Sequence, residues 1–139
     1  MQPDAIDAVT RYLRAQGFDP QPAYFGESGF RVGWRLRIND LELVYRLDKG
    51  SLIVCDLVAK ERSQGASNAV ATFIHLVHRI ERSGVPVQEV CGMFIETASD
   101  PELNRVRRRL ALVLEAQGAC WQEIDGEPWL LYPIGATSF

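Results

Sequence analysis

The stretch Ser51-Leu-Ile-Val-Cys-Asp-Leu-Val58 decides the fold, because it reads as a strand with apolar side chains on both faces. Such a pattern is typical of a strand that is covered above and below. A polar loop follows, and from about Asn68 to the residue before Gly84 the apolar residues recur with helical spacing. A loop that opens a helix after a central strand presents unpaired backbone N–H groups and the positive end of the helix dipole. Spacing alone fits both a phosphate site and a plain strand-to-helix connection, and the plain connection is the commoner of the two.

Two alternating strands precede this stretch. Between Phe30 and Ile38, apolar side chains alternate with polar ones that include Arg31, Arg35 and Arg37. This pattern predicts a strand with one buried face and one basic face. A second alternating run from Leu41 to Leu47 follows a two-residue turn, so we expect three antiparallel strands in a meander.

Caps and chain breakers define the remaining elements. A helix is expected from Asp4 to about Gln16 with Gly17 as its stop, and the proline- and glycine-rich residues 19–29 read as a loop. A strand is expected over Val87–Ile95. The next helix begins at Ser99-Asp100-Pro101-Glu102 and ends before Gly118. A hairpin of Cys120–Ile124 and Trp129–Ile134 follows, with its turn at Asp125-Gly126-Glu127-Pro128.

The order is helix, three strands, helix, strand, helix, two strands. It predicts an α/β protein, an α+β sandwich in which a mixed sheet of about six strands packs against helices. The strand–helix–strand unit from Ser51 to Ile95 should be parallel. The 139 residues fit a single domain.

Composition narrows the function classes. The net charge of −3 argues against non-specific nucleic-acid binding, and no apolar run approaches the length of a membrane span. Cys55, Cys91 and Cys120 are spaced too widely for a zinc site or a disulfide framework, which suits a reducing cytoplasm. His75 and His78 lie three apart without a third ligand nearby, so a solvated face is favoured over a metal site.

The candidate contact surfaces are rich in arginine and tryptophan, two residues enriched at interface hot spots. The predicted partner-binding residues are Arg31, Arg35 and Arg37 on the strand face and Arg105, Arg108 and Arg109 on the outer face of the third helix, where Arg107 is expected as well. Trp121 and Trp129 are further candidates. For each group the alternative is a solvated face or a core aromatic.

The element order resembles the acyl-CoA N-acyltransferase (GNAT) fold without its first strand. The superfamily's pyrophosphate loop is similar to Arg62, Ser63, Gln64, Gly65, Ala66, Ser67 and Asn68, with serine in place of the last small residue. Asn104 and the ending Glu115-Ala-Gln-Gly118 parallel its Asn…Tyr-Glu-Lys-Leu-Gly helix, but the tyrosine that often serves as general acid falls at Leu114. The resemblance implies an acetyl-CoA site at this loop, without the usual proton donor.

A narrower resemblance is to the low-calcium-response R regulators of type III secretion. It is carried by Glu61-Arg-Ser-Gln-Gly65-Ala-Ser-Asn68-Ala, by Trp34, Arg35 and Ile38 before it, and by the arginine-rich helix after it. It implies a small cytoplasmic protein that supports expression or export of secreted substrates without chemistry of its own. Class I type III secretion chaperones are also similar in size and acidity, and they are dimeric, but their last helix usually ends the fold.

Two functional classes follow from the sequence. The first is a non-catalytic cytoplasmic regulator or accessory protein of bacterial type III secretion, needing no cofactor, acting through protein partners and capable of forming a homodimer. The alternative is an acetyl-CoA-dependent N-acyltransferase, which needs a base and a proton donor. Asp56, central in its strand, is the candidate base.

Overall fold

The computed structural model describes residues 6–24, 31–38, 41–59, 65–93 and 101–134. These residues form an α+β structure with three helices and one mixed seven-stranded sheet. In chain order the elements are α1 Ala8–Ala15, β1 Gln21–Tyr24, β2 Arg31–Ile38, β3 Leu41–Asp48, β4 Ser51–Ala59, α2 Gly65–Ser83, β5 Glu89–Met93, α3 Pro101–Ala116, β6 Cys120–Ile124 and β7 Glu127–Pro133.

The strands lie in the order β1-β2-β3-β4-β5-β7-β6. The meander of β2, β3 and β4 is antiparallel, and β4 pairs in parallel with β5, so both of these predictions are confirmed. The last strand, β7, lies between β5 and β6 and is antiparallel to both.

The sheet has one strand more than the sequence predicted. Residues 19–29 were expected to be a loop, but Gln21–Tyr24 forms β1 and pairs with β2 at the edge of the sheet. Proline is tolerated in an edge strand, where one side of the backbone has no partner strand. A short strand of this kind depends on pairing with a distant segment, which local sequence does not reveal.

Two helices begin elsewhere than predicted. Helix α1 is capped by Asp7, whose carboxylate accepts a hydrogen bond from the Thr10 N–H, so the cap predicted at Asp4, outside the described residues, is wrong. Helix α2 begins at Gly65 rather than near Asn68. The ends of α1 and α3 are as predicted: Gly17 and Gly118 follow them with φ of 96° and 114°, a conformation that favours glycine.

The turn between β6 and β7 is tighter than predicted. Only Asp125 and Gly126 lie between the strands, with φ of 54° and 82°, and Ile124 pairs with Glu127. Positive φ at both central residues defines the type I′ turn that suits a two-residue hairpin. Glu127 and Pro128, expected in the turn, therefore belong to β7. The strand predicted over Val87–Ile95 likewise starts later, at Glu89, and is described to Met93.

The described helices share one face of the sheet. All three contribute buried side chains to a single apolar core with Leu36, Leu43, Tyr45, Leu52 and Leu57 from β2, β3 and β4. The expected buried stripe of α2 is confirmed and consists of Val70, Phe73, Ile74, Val77 and Ile80.

The prediction that β4 is covered on both faces is confirmed for the face toward the helices and stays a prediction for the other face, where the neighbouring Val44 is buried. Ile53 and Asp56 lie on the face away from the helices, where Ile53 is half-buried and Asp56 exposed.

A buried polar chain ties α1 to the centre of the sheet. The Thr10 hydroxyl donates to Asp7 Oδ2 at 3.1 Å and lies 2.7 Å from the Tyr45 hydroxyl. Because the threonine proton is directed to Asp7, the Tyr45 hydroxyl donates to Thr10. Burial raises the pKa of Tyr45, so the phenol stays protonated and keeps donating.

Candidate functional site

The sheet opens into a cleft where β4 and β5 separate. Among the described residues the two strands pair between Ser51–Val54 and Glu89–Gly92, and from there to Ala59 β4 is paired with β3 alone. At the point of separation β4 has a bulge, because Val44 pairs with Asp56 while the next residue, Tyr45, pairs with Val54. A bulge bends its strand and disrupts the local ladder. The result is a cavity of about 360 Å³.

The wall of the cleft is mostly apolar, with a few polar groups. Its apolar lining residues include Phe73, Val90, Leu110, Leu114 and Leu130. The ionisable residues that line it are Arg46, Cys55, Asp56, Cys91, Arg107 and Tyr132. A mostly apolar cavity with a small number of polar groups is the usual form of a ligand or anchor site.

Arg107 closes the unpaired edge of β4. Its Nη2 donates to the Leu57 carbonyl at 3.1 Å and to Asp56 Oδ1 at 3.2 Å, and Asp56 Oδ1 also accepts from the Leu57 N–H at 2.9 Å. Both backbone polar groups of Leu57 therefore have side-chain partners at an edge where none of the described strands continues the sheet. Arg107, expected on the outer face of α3, instead lies against the sheet with its side chain 20% exposed.

The two thiols and the phenol that line the cleft are protonated at neutral pH. Burial, followed by the charge of Glu89, raises the pKa of the Cys91 thiol to about 11. Burial raises the pKa of Cys55 as well. For Tyr132, burial and the neighbouring Glu81 carboxylate raise the pKa of the phenol. All three groups are therefore held in their neutral forms.

The predicted acetyl-CoA loop lies largely outside the described residues. Arg62, Ser63 and Gln64 fall there, whereas the backbone of Gly65–Asn68 forms the first turn of α2. The acetyl-CoA site at this loop stays a prediction. Leu114 does line the cleft, so the side chain at the position of the superfamily tyrosine is an alkyl group.

The arginine face of β2 is partly neutralised. Arg37 Nε donates to Glu42 Oε1 at 3.1 Å, and Arg35 Nε lies 3.0 Å from Glu42 Oε2 without hydrogen-bond alignment. One carboxylate thus serves two guanidinium groups, of which Arg37 is the more exposed. The side chain of Arg31 lies outside the described residues. The contact role of this face stays a prediction.

Helix α3 presents the more open surface. Arg105, Arg108 and Arg109 are all exposed, and Leu112 is 65% exposed on the same side of the helix. Spacings of three, four and seven residues place these side chains in one stripe. The helix face that the sequence predicted is therefore exposed, with an apolar residue added to it.

Sequence analysis missed three residues of the cleft: Arg107, Cys91 and Tyr132. Arg107 was placed on the solvent face because it follows the buried Val106, and only the separation of β4 and β5 shows where its side chain goes. Cys91 and Tyr132 lie in apolar strands whose neighbours are set by sheet order. No local signal in the sequence gives that order.

Membrane spans and metal clusters are both absent from the described residues. No helix among them has the length and hydropathy to cross a bilayer. Within the same residues, no group of three or more histidine, cysteine, aspartate or glutamate side chains is placed to hold a metal ion.

The fold and the cleft define a small α+β protein in which two neighbouring strands separate and one arginine binds the strand edge that this separation exposes. The family model for LcrR, described as a type III secretion system regulator, matches residues 6–122, which is most of the chain. The chain belongs to this LcrR family of type III secretion system regulators. The resemblance to these regulators is thus confirmed, whereas the GNAT-like fold stays a prediction. No curated protein matches the chain.

Proposed function

We propose that this type III secretion regulator acts in the cytoplasm through contacts with other proteins and performs no chemistry of its own. The observation that carries the proposal is the position of Arg107 on the free edge of β4. An acyl donor lying along that edge would need the Leu57 backbone groups, and these are already bonded to Arg107 and Asp56.

Among the described residues of the cleft, the two that the acyltransferase resemblance singles out for chemistry are poorly suited to it. The reaction needs a base for the attacking amine and a proton for the departing thiolate. The candidate base Asp56 already accepts hydrogen bonds at Oδ1 from Arg107 and from the Leu57 N–H. Leu114 supplies no proton. The side chains proposed as base and as proton donor therefore fit a reaction with acetyl-CoA poorly.

The stripe Arg105, Arg108, Arg109 and Leu112, called the α3 stripe below, is the surface that best supports a protein contact. It joins three cationic groups to one exposed leucine, and an apolar residue among arginines is a common composition for an interface centre. The stripe faces away from the sheet, so its residues are accessible without a change in fold.

The alternative function is the acetyl-CoA-dependent N-acyltransferase. A specific observation favours it: a mostly apolar cavity between two parallel strands, with Tyr132 in its wall as a possible proton donor. The loop Arg62–Asn68 would then hold the pyrophosphate, with Gly65 allowing close approach of the backbone.

Calorimetry with acetyl-CoA separates the two functions. We expect millimolar or no binding. A dissociation constant at or below about 10 μM, equivalent to ~7 kcal/mol, that is lost in Gly65→Val would establish the acyltransferase site instead.

Secretion in the source bacterium tests the contact surface directly. Chromosomal Arg105→Glu with Arg109→Glu should reduce secretion of a type III substrate, because charge reversal opposes the partner's complementary surface. The comparison variant Asp56→Asn with Tyr132→Phe removes the candidate base and the candidate proton donor of the cleft and should leave secretion unchanged. The reverse result would place the function in the cleft.

A further inference from the structure

A polar groove, distinct from the apolar cleft in the sheet, lies between α1 and α2 on the outer side of the helical layer. It has a volume of about 600 Å³. Its lining residues are Tyr12, Gln16, His75, His78, Arg79, Arg82 and Ser83. It is separate from the cleft in the sheet, with which it shares no lining residue.

The groove is basic although the whole chain carries a net charge of −3. None of the described residues that line it is an aspartate or a glutamate. His75, His78, Arg79 and Arg82 follow one another at helical spacing along α2, over a length of about 10 Å. Glu81, the acidic residue next to them in sequence, hydrogen-bonds Tyr132 of β7. Its carboxylate is therefore directed away from the groove.

Two of the basic side chains, Arg79 and His78, are held in place by neighbours. Arg79 Nη2 donates to Gln16 Oε1 at 3.0 Å, and its guanidinium carbon lies 5.4 Å from the centre of the Phe18 ring. His78 Nε2 lies 3.0 Å from Gln117 Oε1, beyond the end of α3. A fixed arginine loses less conformational entropy when it binds a carboxylate than a free one does.

We propose that this groove binds an acidic segment of a partner protein, with carboxylates spread along about two helical turns. The arginine and imidazole N–H donors lie in a row rather than converging on one point, so they match several carboxylates better than a single phosphate. The acidic chain as a whole and the short length of the row disfavour nucleic acid, whose affinity depends on many phosphate contacts. This proposal concerns a surface separate from the α3 stripe and goes beyond the function proposed above.

Fluorescence anisotropy tests it with a labelled helical peptide that carries glutamates in one stripe, at low salt of about 50 mM. We expect saturable binding that Arg82→Glu weakens by about tenfold or more. The matched control is Lys49→Glu, which makes the same charge change at an exposed residue of the β3–β4 turn and should weaken binding about twofold or less. A peptide with the same composition but scattered glutamates should bind more weakly. Circular dichroism confirms that both variants are folded.

Three results would overturn the proposal. The first is no binding of the striped peptide to the unaltered protein, and the second is an equal loss in Arg82→Glu and Lys49→Glu, which would indicate a general charge effect. The third is tighter binding of a single-stranded oligonucleotide than of the peptide, with loss in Arg82→Glu, which would assign the groove to nucleic acid. Because the assay uses purified protein and a defined peptide, its outcome is independent of the secretion test.

Discussion

Helix α3 offers a matched pair of leucines that measures how it packs. Leu110 is 1% exposed and lines the cleft, whereas Leu112, two positions later, is 65% exposed. Both can be replaced by alanine with the same change in helix propensity. The difference between the variants therefore isolates packing.

The expected cost follows from the buried groups that are lost. Leu110→Ala replaces the isobutyl side chain by a methyl group and removes three carbons, worth about 2.4 kcal/mol at about 0.8 kcal/mol per carbon. The space left behind adds a further term, but the neighbouring cleft lets the site relax in part, so we expect about 3 kcal/mol in total. Leu112→Ala should change the free energy of unfolding by less than about 0.5 kcal/mol.

Urea denaturation measures both values. Leu110→Ala should lower the midpoint without changing the slope, and its melting temperature should fall by roughly 10 °C. Leu112→Ala should unfold like the unaltered protein. Equal losses in the two variants would mean that α3 faces the sheet through a different side and would refute the described packing.

Three further predictions concern the sheet and the cleft. Gly33→Ala should destabilise the protein by more than about 2 kcal/mol in thermal unfolding, because the added Cβ would overlap a backbone carbonyl of β3; a change within about 0.5 kcal/mol would show that β2 and β3 lie farther apart. A double-mutant cycle of Arg107→Met and Asp56→Asn should give a coupling energy of about 0.5–1 kcal/mol in urea, and strictly additive effects would contradict the ion pair. With a thiol reagent at pH 8, the exposed Cys120 should react first and the buried Cys91 last, since burial raises the Cys91 pKa to about 11; a fast Cys91 would contradict its placement.

The spacing of apolar residues and the residue types at helix ends predicted most of the architecture. Strands β2 and β3 were predicted because alternation over Arg31–Ile38 and Leu41–Asp48 can bury only one face. Proline at the first position of α3 and glycine after its end predicted the limits of that helix. Strand β1 was missed because Gln-Pro-Ala-Tyr has no strand pattern of its own and pairs with a segment that local sequence does not specify.

The candidate site was harder to predict than the fold. The bulge at Cys55 and the separation of β4 from β5 arise from pairing between distant segments, so the cleft has no sequence signature. Arg107 was misplaced for the same reason, since helical spacing puts it at the flank of the buried stripe and its length lets it reach Leu57. Leu114 was the exception, because the resemblance of its helix to the acyltransferase pattern singled out a residue that does line the cleft.

The position of β7 determines when this sheet can form. It lies between β5 and β6, so the strand that comes last along the chain occupies the interior while its predecessor occupies the edge. During synthesis the meander β2–β3–β4 can pair as soon as it emerges, but β5 keeps one unpaired side until residues 127–133 are made. The family match ends at Gln122, inside β6. A chain cut at that boundary would contain the shared sequence yet lack the strand that completes the sheet.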